Sequence, residues 1–98
     1  MNLLVVCRRG NNRSAALAFI LRDIMGQKDV INYGVETTSK ETEDFLCNWA
    51  DKIIVLTKEV DVPKKFRKKR VIIDVGSDRW GIGYNPDLLL KLYRKWKQ

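Results

Sequence analysis

An unbroken apolar run that hands over to a helical repeat restricts this chain more than any other feature. Met1 to Val6, ending in "LLVV", shows no alternation and is bounded by charge at Arg8 and Arg9. Such a run reads as a strand buried on both faces, the setting of a strand inside a parallel sheet. From Ser14 to Met25 the pattern changes period: Leu17, Ile20, Leu21 and Ile24 fall at i, i+3, i+4 and i+7, and Gly26 offers a helix stop. A strand that feeds a helix through a short loop is the opening half of a β-α-β unit.

The same alternation continues. Val30 to Tyr33 is a short apolar strand, and Thr38 with Glu41 has capping-box spacing, opening a helix expected to bury Phe45, Leu46 and Trp49. Lys52 to Leu56 ("KIIVL") reads as the next strand and Val71 to Asp74 ("VIID") as a further buried one. Between them a basic stretch is expected to be a loop with a short helix broken near Pro63. Asn85-Pro86-Asp87 supplies an N-cap, a proline at the first helical position and an early acid, after which Leu89, Leu92, Tyr93 and Trp96 line one face. Strands alternating with helices predict one α/β domain over residues 1–98, three-layered (α/β/α), with a mostly parallel sheet of about four strands. In such sheets ligands bind beyond the carboxyl ends of the strands, and Cys7 stands at one of them.

Composition narrows the chemistry. The 98 residues contain no histidine, which removes Ser/His and Cys/His nucleophile pairs and every histidine-containing metal site. Two cysteines, Cys7 and Cys47, are too few for a four-thiolate zinc site, and no metal or cofactor is expected. Catalysis would have to rest on Cys, Asp, Glu, Lys or Arg. The apolar runs are far shorter than the roughly 20 residues needed to span a bilayer. The first is followed rather than preceded by charge, unlike a secretory leader, so a cytoplasmic protein with free thiols and no membrane partner is expected. The formal net charge of +7 is partly local: Lys58 to Arg70 holds seven basic and two acidic residues. That balance favours anionic partners.

The loop between strand and helix, "CRRGNNRS", is built for an anion. Backbone N–H groups at a helix N-terminus and along a tight loop carry positive potential, and Gly10, Asn11 and Asn12 tolerate the backbone conformations a cradle needs. Arg13 adds a fork that matches two oxygens of a phosphate. A thiolate at Cys7 is favoured by those amides, by Arg13 and by the neighbouring Arg8 and Arg9, and Ser14 can donate a hydrogen bond to the sulfur. Read bare, Cys7 is a small buried residue at a strand end; the strand, Cys-x5-Arg-Ser and helix together favour function.

The stretch "VVCRRGNNRSAALA" resembles the phosphate loop of low-molecular-weight protein tyrosine phosphatases, whose signature is Cys-x5-Arg-Ser/Thr just after the first strand. "ADKIIVLT" (Ala50 to Thr57) is similar to that family's third strand, and "DRWG" (Asp78 to Gly81) stands where the family has Asp-Pro-aromatic. The likeness is to the short bacterial and phage-type branch and covers nearly the whole chain. It implies that Cys7 is the nucleophile of a phosphocysteine, that Arg13 and the amides of Arg8 to Arg13 hold the phosphoryl oxygens, and that Ser14 stabilises the thiolate. Three departures stand out: Asn12 replaces a frequent second loop cysteine, Gly10 replaces the loop asparagine, and Arg8 with Arg9 makes the rim more basic.

A phosphocysteine mechanism needs an acid for the leaving oxygen and a base for water. Asp78, in a glycine-rich loop, is the first candidate, although Arg79 stands in place of the family's proline; Asp74 is the second, and Asp87 reads as an N-terminal helix charge. Trp80 is divided between a pocket wall for an aryl phosphate and core packing. Trp49, Trp96 and Cys47 read as core. The expected activity is hydrolysis of a phosphomonoester, most simply phosphotyrosine in a protein or peptide, with the basic rim suggesting an acidic phosphopeptide or a substrate with more than one phosphate. Three rivals remain: a non-hydrolytic module that binds phosphorylated ligands, a nucleic-acid binder using "KKFRKKR", where only Phe66 interleaves the charges, and a phosphocarrier. A carrier must preserve its phosphocysteine, which Arg13 and Asp78 argue against. Oligomeric state is open.

Overall fold

The computed structural model describes residues 1–9, 13–75 and 85–97. Within them lie four strands, β1 (Leu3–Cys7), β2 (Val30–Gly34), β3 (Lys52–Val55) and β4 (Arg70–Ile72), and three α-helices, α1 (Arg13–Phe19), α2 (Lys40–Trp49) and α3 (Pro86–Lys97). A 3-10 turn spans Lys64–Lys69. The strands form one sheet in the order β2-β1-β3-β4, and every pairing is parallel. The mostly parallel sheet expected from the apolar runs is therefore wholly parallel.

The register explains why β1 carries no polar residue. Leu3 pairs with Val30 on one flank and Lys52 on the other, and Val6 with Tyr33 and Val55, so β1 is hydrogen-bonded along both edges. Successive side chains then point to opposite faces. Leu3 and Val5 join Leu17, Leu21, Ile54, Leu88 and Leu92 in a core roofed by α1 and α3. Leu4 and Val6 join Tyr33, Cys47, Ile53, Val55 and Phe66 in a second core under α2 and the 3-10 turn. Helical elements thus pack against both faces of the sheet, compatible with a three-layer α/β/α arrangement.

Four local expectations are corrected. The helix expected over Ser14 to Met25 forms, but only Arg13–Phe19 is α-helical; Ile20–Ile24 is a π-helical turn closed by Met25 N–H donating to Ile20 C=O at 2.9 Å. The wider turn changes the facing of its own last residues, so Ile24, expected on the buried face, is 58% exposed. Gly26 does end the helix, at φ +75°, where a side chain would strain the backbone, and Gln27 N–H caps Leu21 C=O at 2.8 Å. In α2 the N-cap is Ser39 rather than Thr38: its Oγ accepts from Thr42 N–H at 3.2 Å.

The buried side of α2 centres on Cys47, with Leu46 and Trp49 half-buried; Phe45 lies two residues from that centre, on the far side of the helix, and is 71% exposed. β4, expected as a buried strand over Val71 to Asp74, is, among the described residues, an edge strand like β2 and leaves Val71 and Ile72 partly exposed. Its ladder continues beyond the strand, since Ile73 N–H donates to Val55 C=O and Val75 N–H to Leu56 C=O. The start of α3 is as expected: Asn85 Oδ1 accepts from the N–H groups of Asp87 (2.9 Å) and Leu88 (3.3 Å). Among the described residues no helix is long and apolar enough to cross a membrane.

Candidate active site

Strand order decides where a ligand can sit. From β1 the chain moves outward to β2, then crosses back over β1 to β3 on its other flank. Connections leaving β1 and β3 diverge, and the crevice between their carboxyl ends is the switch point at which α/β sheets bind ligands. Cys7 is the last residue of β1, directly at that crevice.

Two residues singled out from the sequence, Cys7 and Ser14, meet there, and a third, Arg13, opens the helix that carries Ser14. Cys7 is 2% exposed, and its Sγ lies 3.2 Å from Ser14 Oγ in the first turn of α1. Arg13, the first residue of α1, is 1% exposed. A guanidinium offers a fork that matches two oxygens of an oxyanion, and Arg13 directly precedes Ser14 in that helix. Gly10, Asn11 and Asn12, assigned to the cradle, lie outside the described residues, as do Asp78, the first candidate acid, and Trp80, the candidate pocket wall.

The loop is anchored from behind by the turn after β2. Val35 N–H donates to Cys7 C=O (3.0 Å), Glu36 N–H to Arg8 C=O (2.8 Å) and Thr37 Oγ1 to Arg9 C=O (2.9 Å). Three successive carbonyls are held away from the crevice, and a loop whose carbonyls face outward can offer its amides to an anion. Leu56 N–H donates to Val6 C=O at 3.0 Å, fixing the β3 side.

The side chains of Arg8 and Arg9, expected as a basic rim, are both engaged. Arg8 Nε lies 3.3 Å from Glu36 Oε2, its Nη2 pairs with the Glu59 carboxylate, and Arg9 Nε lies 3.8 Å from Glu36 Oε1. Glu59 N–H donates to Thr57 Oγ1, and Thr57 is 1% exposed at the end of β3. Sequence reading missed Glu36 and Glu59, which lie far from Arg8 along the chain. Their one signal is that each follows closely on a strand end.

The other aspartates separate. Asp74 is half-buried at the carboxyl edge, just past β4. With strands about 4.8 Å apart, a position on β4, two strands away, stands about 10 Å from β1. Asp87 is exposed in the first turn of α3, as expected of a helix-end charge. On the opposite face of the sheet from α1, Tyr33 donates its hydroxyl to Glu43 Oε2 at 2.7 Å and lies 3.8 Å from Cys47 Sγ. Burial, then the hydrogen bond to Glu43, pushes the Tyr33 phenol far above its usual range; burial likewise pushes the Cys47 thiol up, opposed by the contact with Tyr33. Cys47 is therefore a packed, protonated thiol, and both cysteines are free. No protein-family model, curated protein or solved structure matches the chain.

Proposed function

We propose that this chain is a cysteine-dependent phosphomonoester hydrolase, similar in kind to the low-molecular-weight protein tyrosine phosphatases, and that it acts on phosphotyrosine in proteins or peptides. The observation that carries the reading is buried Cys7 at the switch point with 3.2 Å between its sulfur and the Ser14 hydroxyl, Ser14 being preceded in the first turn of α1 by buried Arg13. An anion cradle alone has no use for a thiol at its floor.

The Cys7 thiolate attacks phosphorus, forming the S–P bond as the bond to the leaving oxygen breaks. Arg13 and the loop amides stabilise the charge on the non-bridging oxygens in both steps. The leaving oxygen takes a proton from Asp78, the acid expected from the sequence. The resulting carboxylate then accepts a proton from water as that water attacks phosphorus, and the S–P bond breaks to return the thiolate. Ser14 donates its hydroxyl hydrogen to the sulfur as negative charge returns to it. No step requires a metal or cofactor.

Hydrolysis of para-nitrophenyl phosphate between pH 5 and 8, with EDTA present, is the test. Activity should survive the chelator, fall at least about 1,000-fold in Cys7→Ser, and fall about 100- to 1,000-fold in Arg13→Ala. In Asp78→Asn, turnover should fall more for a poor leaving group than for a good one; equal losses would point to Asp74 or to misfolding. A folded, reduced wild type that binds phosphate without hydrolysis would make the site a binding module and overturn the proposal.

A further inference from the structure

Charge at the mouth of the site is arranged differently from what the run "CRRGNNR" alone suggests. Arg8 and Arg9 are each paired, Arg8 with Glu36 and Glu59 and Arg9 with Glu36. The two carboxylates come from the two segments that flank β1: Glu36 follows β2 by two residues and Glu59 lies beyond the end of β3. They converge on Arg8 from both flanks of β1, and backbone bonds hold each nearby, Glu36 N–H on Arg8 C=O and Glu59 N–H on Thr57 Oγ1. Two guanidinium groups and two carboxylates sum to zero charge, whereas unpaired arginines beside Cys7 would draw in any polyanion.

We infer that Glu36 and Glu59 determine specificity at this site: by holding Arg8 and Arg9 in neutral pairs, they favour a phosphate monoester with uncharged surroundings over one flanked by further acidic groups or a second phosphate. The inference rests on the phosphatase reading and names its substrate class. The phosphate itself is met by Arg13 and the loop, so the glutamates act on the groups beside it. Among the described residues, an acidic side chain at substrate positions near the loop meets Arg8 and Arg9 already paired with carboxylates. An acidic group brought there loses hydration without gaining an ion pair. Each guanidinium set free at about 6–8 Å would change its relative affinity by about two- to threefold, partly screened by physiological salt.

The experiment compares kcat/KM for two phosphotyrosine peptides, one with aspartate or glutamate on both sides of the phosphotyrosine and one with serine and glutamine there. Wild type should prefer the neutral peptide. In the double variant Glu36→Gln/Glu59→Gln that preference should fall about five- to tenfold, through KM for the acidic peptide and not through kcat. Arg8→Gln should shift the preference the opposite way, raising it, because the carboxylates then stand unneutralised. Loosening of the loop would move both variants in one direction, so opposite shifts separate charge from structure. The difference between wild type and the double variant should also shrink as salt rises from about 0.05 to 0.5 M. A preference unmoved in the double variant, in an enzyme that hydrolyses both peptides, overturns the inference and leaves the phosphatase reading standing. A wild type that hydrolyses neither peptide nor para-nitrophenyl phosphate overturns both.

Discussion

Replacing Lys69 with methionine would strip the C-terminus of α2 of the cation that closes it. Lys69 Nζ donates to the carbonyls of Ala50 (2.7 Å), Cys47 (3.0 Å) and Asn48 (3.3 Å), three acceptors that the end of a helix leaves unsatisfied. It also sits 5.6 Å from the centre of the Phe66 ring, so its stem packs where the second core meets solvent. Methionine keeps the stem and removes the charge and its hydrogen bonds. A charged hydrogen-bond donor is worth about 1.5–3 kcal/mol, and its favourable placement at the negative end of the helix about 0.3–1 kcal/mol more. Because the site is only part-buried, the lower halves of both ranges apply, giving a loss of about 2 kcal/mol. For a domain of this size that is a fall in Tm of roughly 8–16 °C. Urea titration of both proteins at pH 7 reads it directly as a lower midpoint at unchanged slope. Lys65→Met is the control: Lys65 lies as close to the Phe66 ring, at 5.1 Å, and pairs with Asp44 at 3.8 Å on the exposed surface, so its loss should cost less than about 1 kcal/mol. Equal costs for the two variants, or less than about 0.5 kcal/mol for Lys69→Met, would refute the view that this lysine closes the helix.

Ser14→Ala should slow release of the phosphoryl group from Cys7 more than its capture, lowering turnover by roughly tenfold or more; rapid-quench measurements should show a larger burst, and a smaller one would remove Ser14 from the second step. Asp61 is held below the usual carboxylate range because, against the opposing effect of burial, it accepts from Arg70 and from Val62 N–H and faces Arg67. Its contribution is present above the unfolded value near 3.9 and is lost as pH falls through the lower folded value. Asp61→Asn should therefore cost about 0.5–1 kcal/mol at pH 7, and the gap in urea midpoint between variant and wild type should close on acidification from pH 4. Tyr33 and Cys47 have the opposite sign: with folded values raised, their stabilisation is full below the unfolded values of about 10 and 8.5 and declines as pH rises from there. The urea midpoint of Tyr33→Phe should drop less between pH 8 and 11 than that of wild type; parallel curves would place the alkaline loss elsewhere.

The parallel sheet was readable because a strand hydrogen-bonded on both edges and packed on both faces has no room for polar residues, and "LLVV" and "KIIVL" show that directly. The nucleophile loop was readable for a related reason, since Cys7, Arg13 and Ser14 are neighbours in the chain. Strand order was not readable. "VIID" has the composition of an interior strand, yet among the described residues β4 lies at an edge, and nothing local distinguishes the two positions. The rotation of α2 escaped as well: Phe45, Leu46 and Trp49 are all apolar, and which of them turns inward is set by how closely Cys47 and Ala50 can approach the sheet. The π turn after Phe19 differs from an α turn by one hydrogen-bond register. Glu36 and Glu59 meet Arg8 only through tertiary pairing of β1 with β2 and β3, so a motif confined to residues 7–14 does not include them.

The position of β1 bears on how the chain comes to be made. It precedes both of its neighbours along the polypeptide, yet it is shielded only when β2 closes one edge and β3 the other. At ribosomal rates, the interval between synthesis of Cys7 and completion of β3 at Val55 is about 2–10 s. Throughout that time the most apolar segment of the chain has an open edge, and pairings of such long sequence separation form slowly once begun. The thiol on which the proposed chemistry depends is therefore at its most vulnerable to oxidation before the protein is finished, and a newborn chain needs reducing surroundings more than the folded one does.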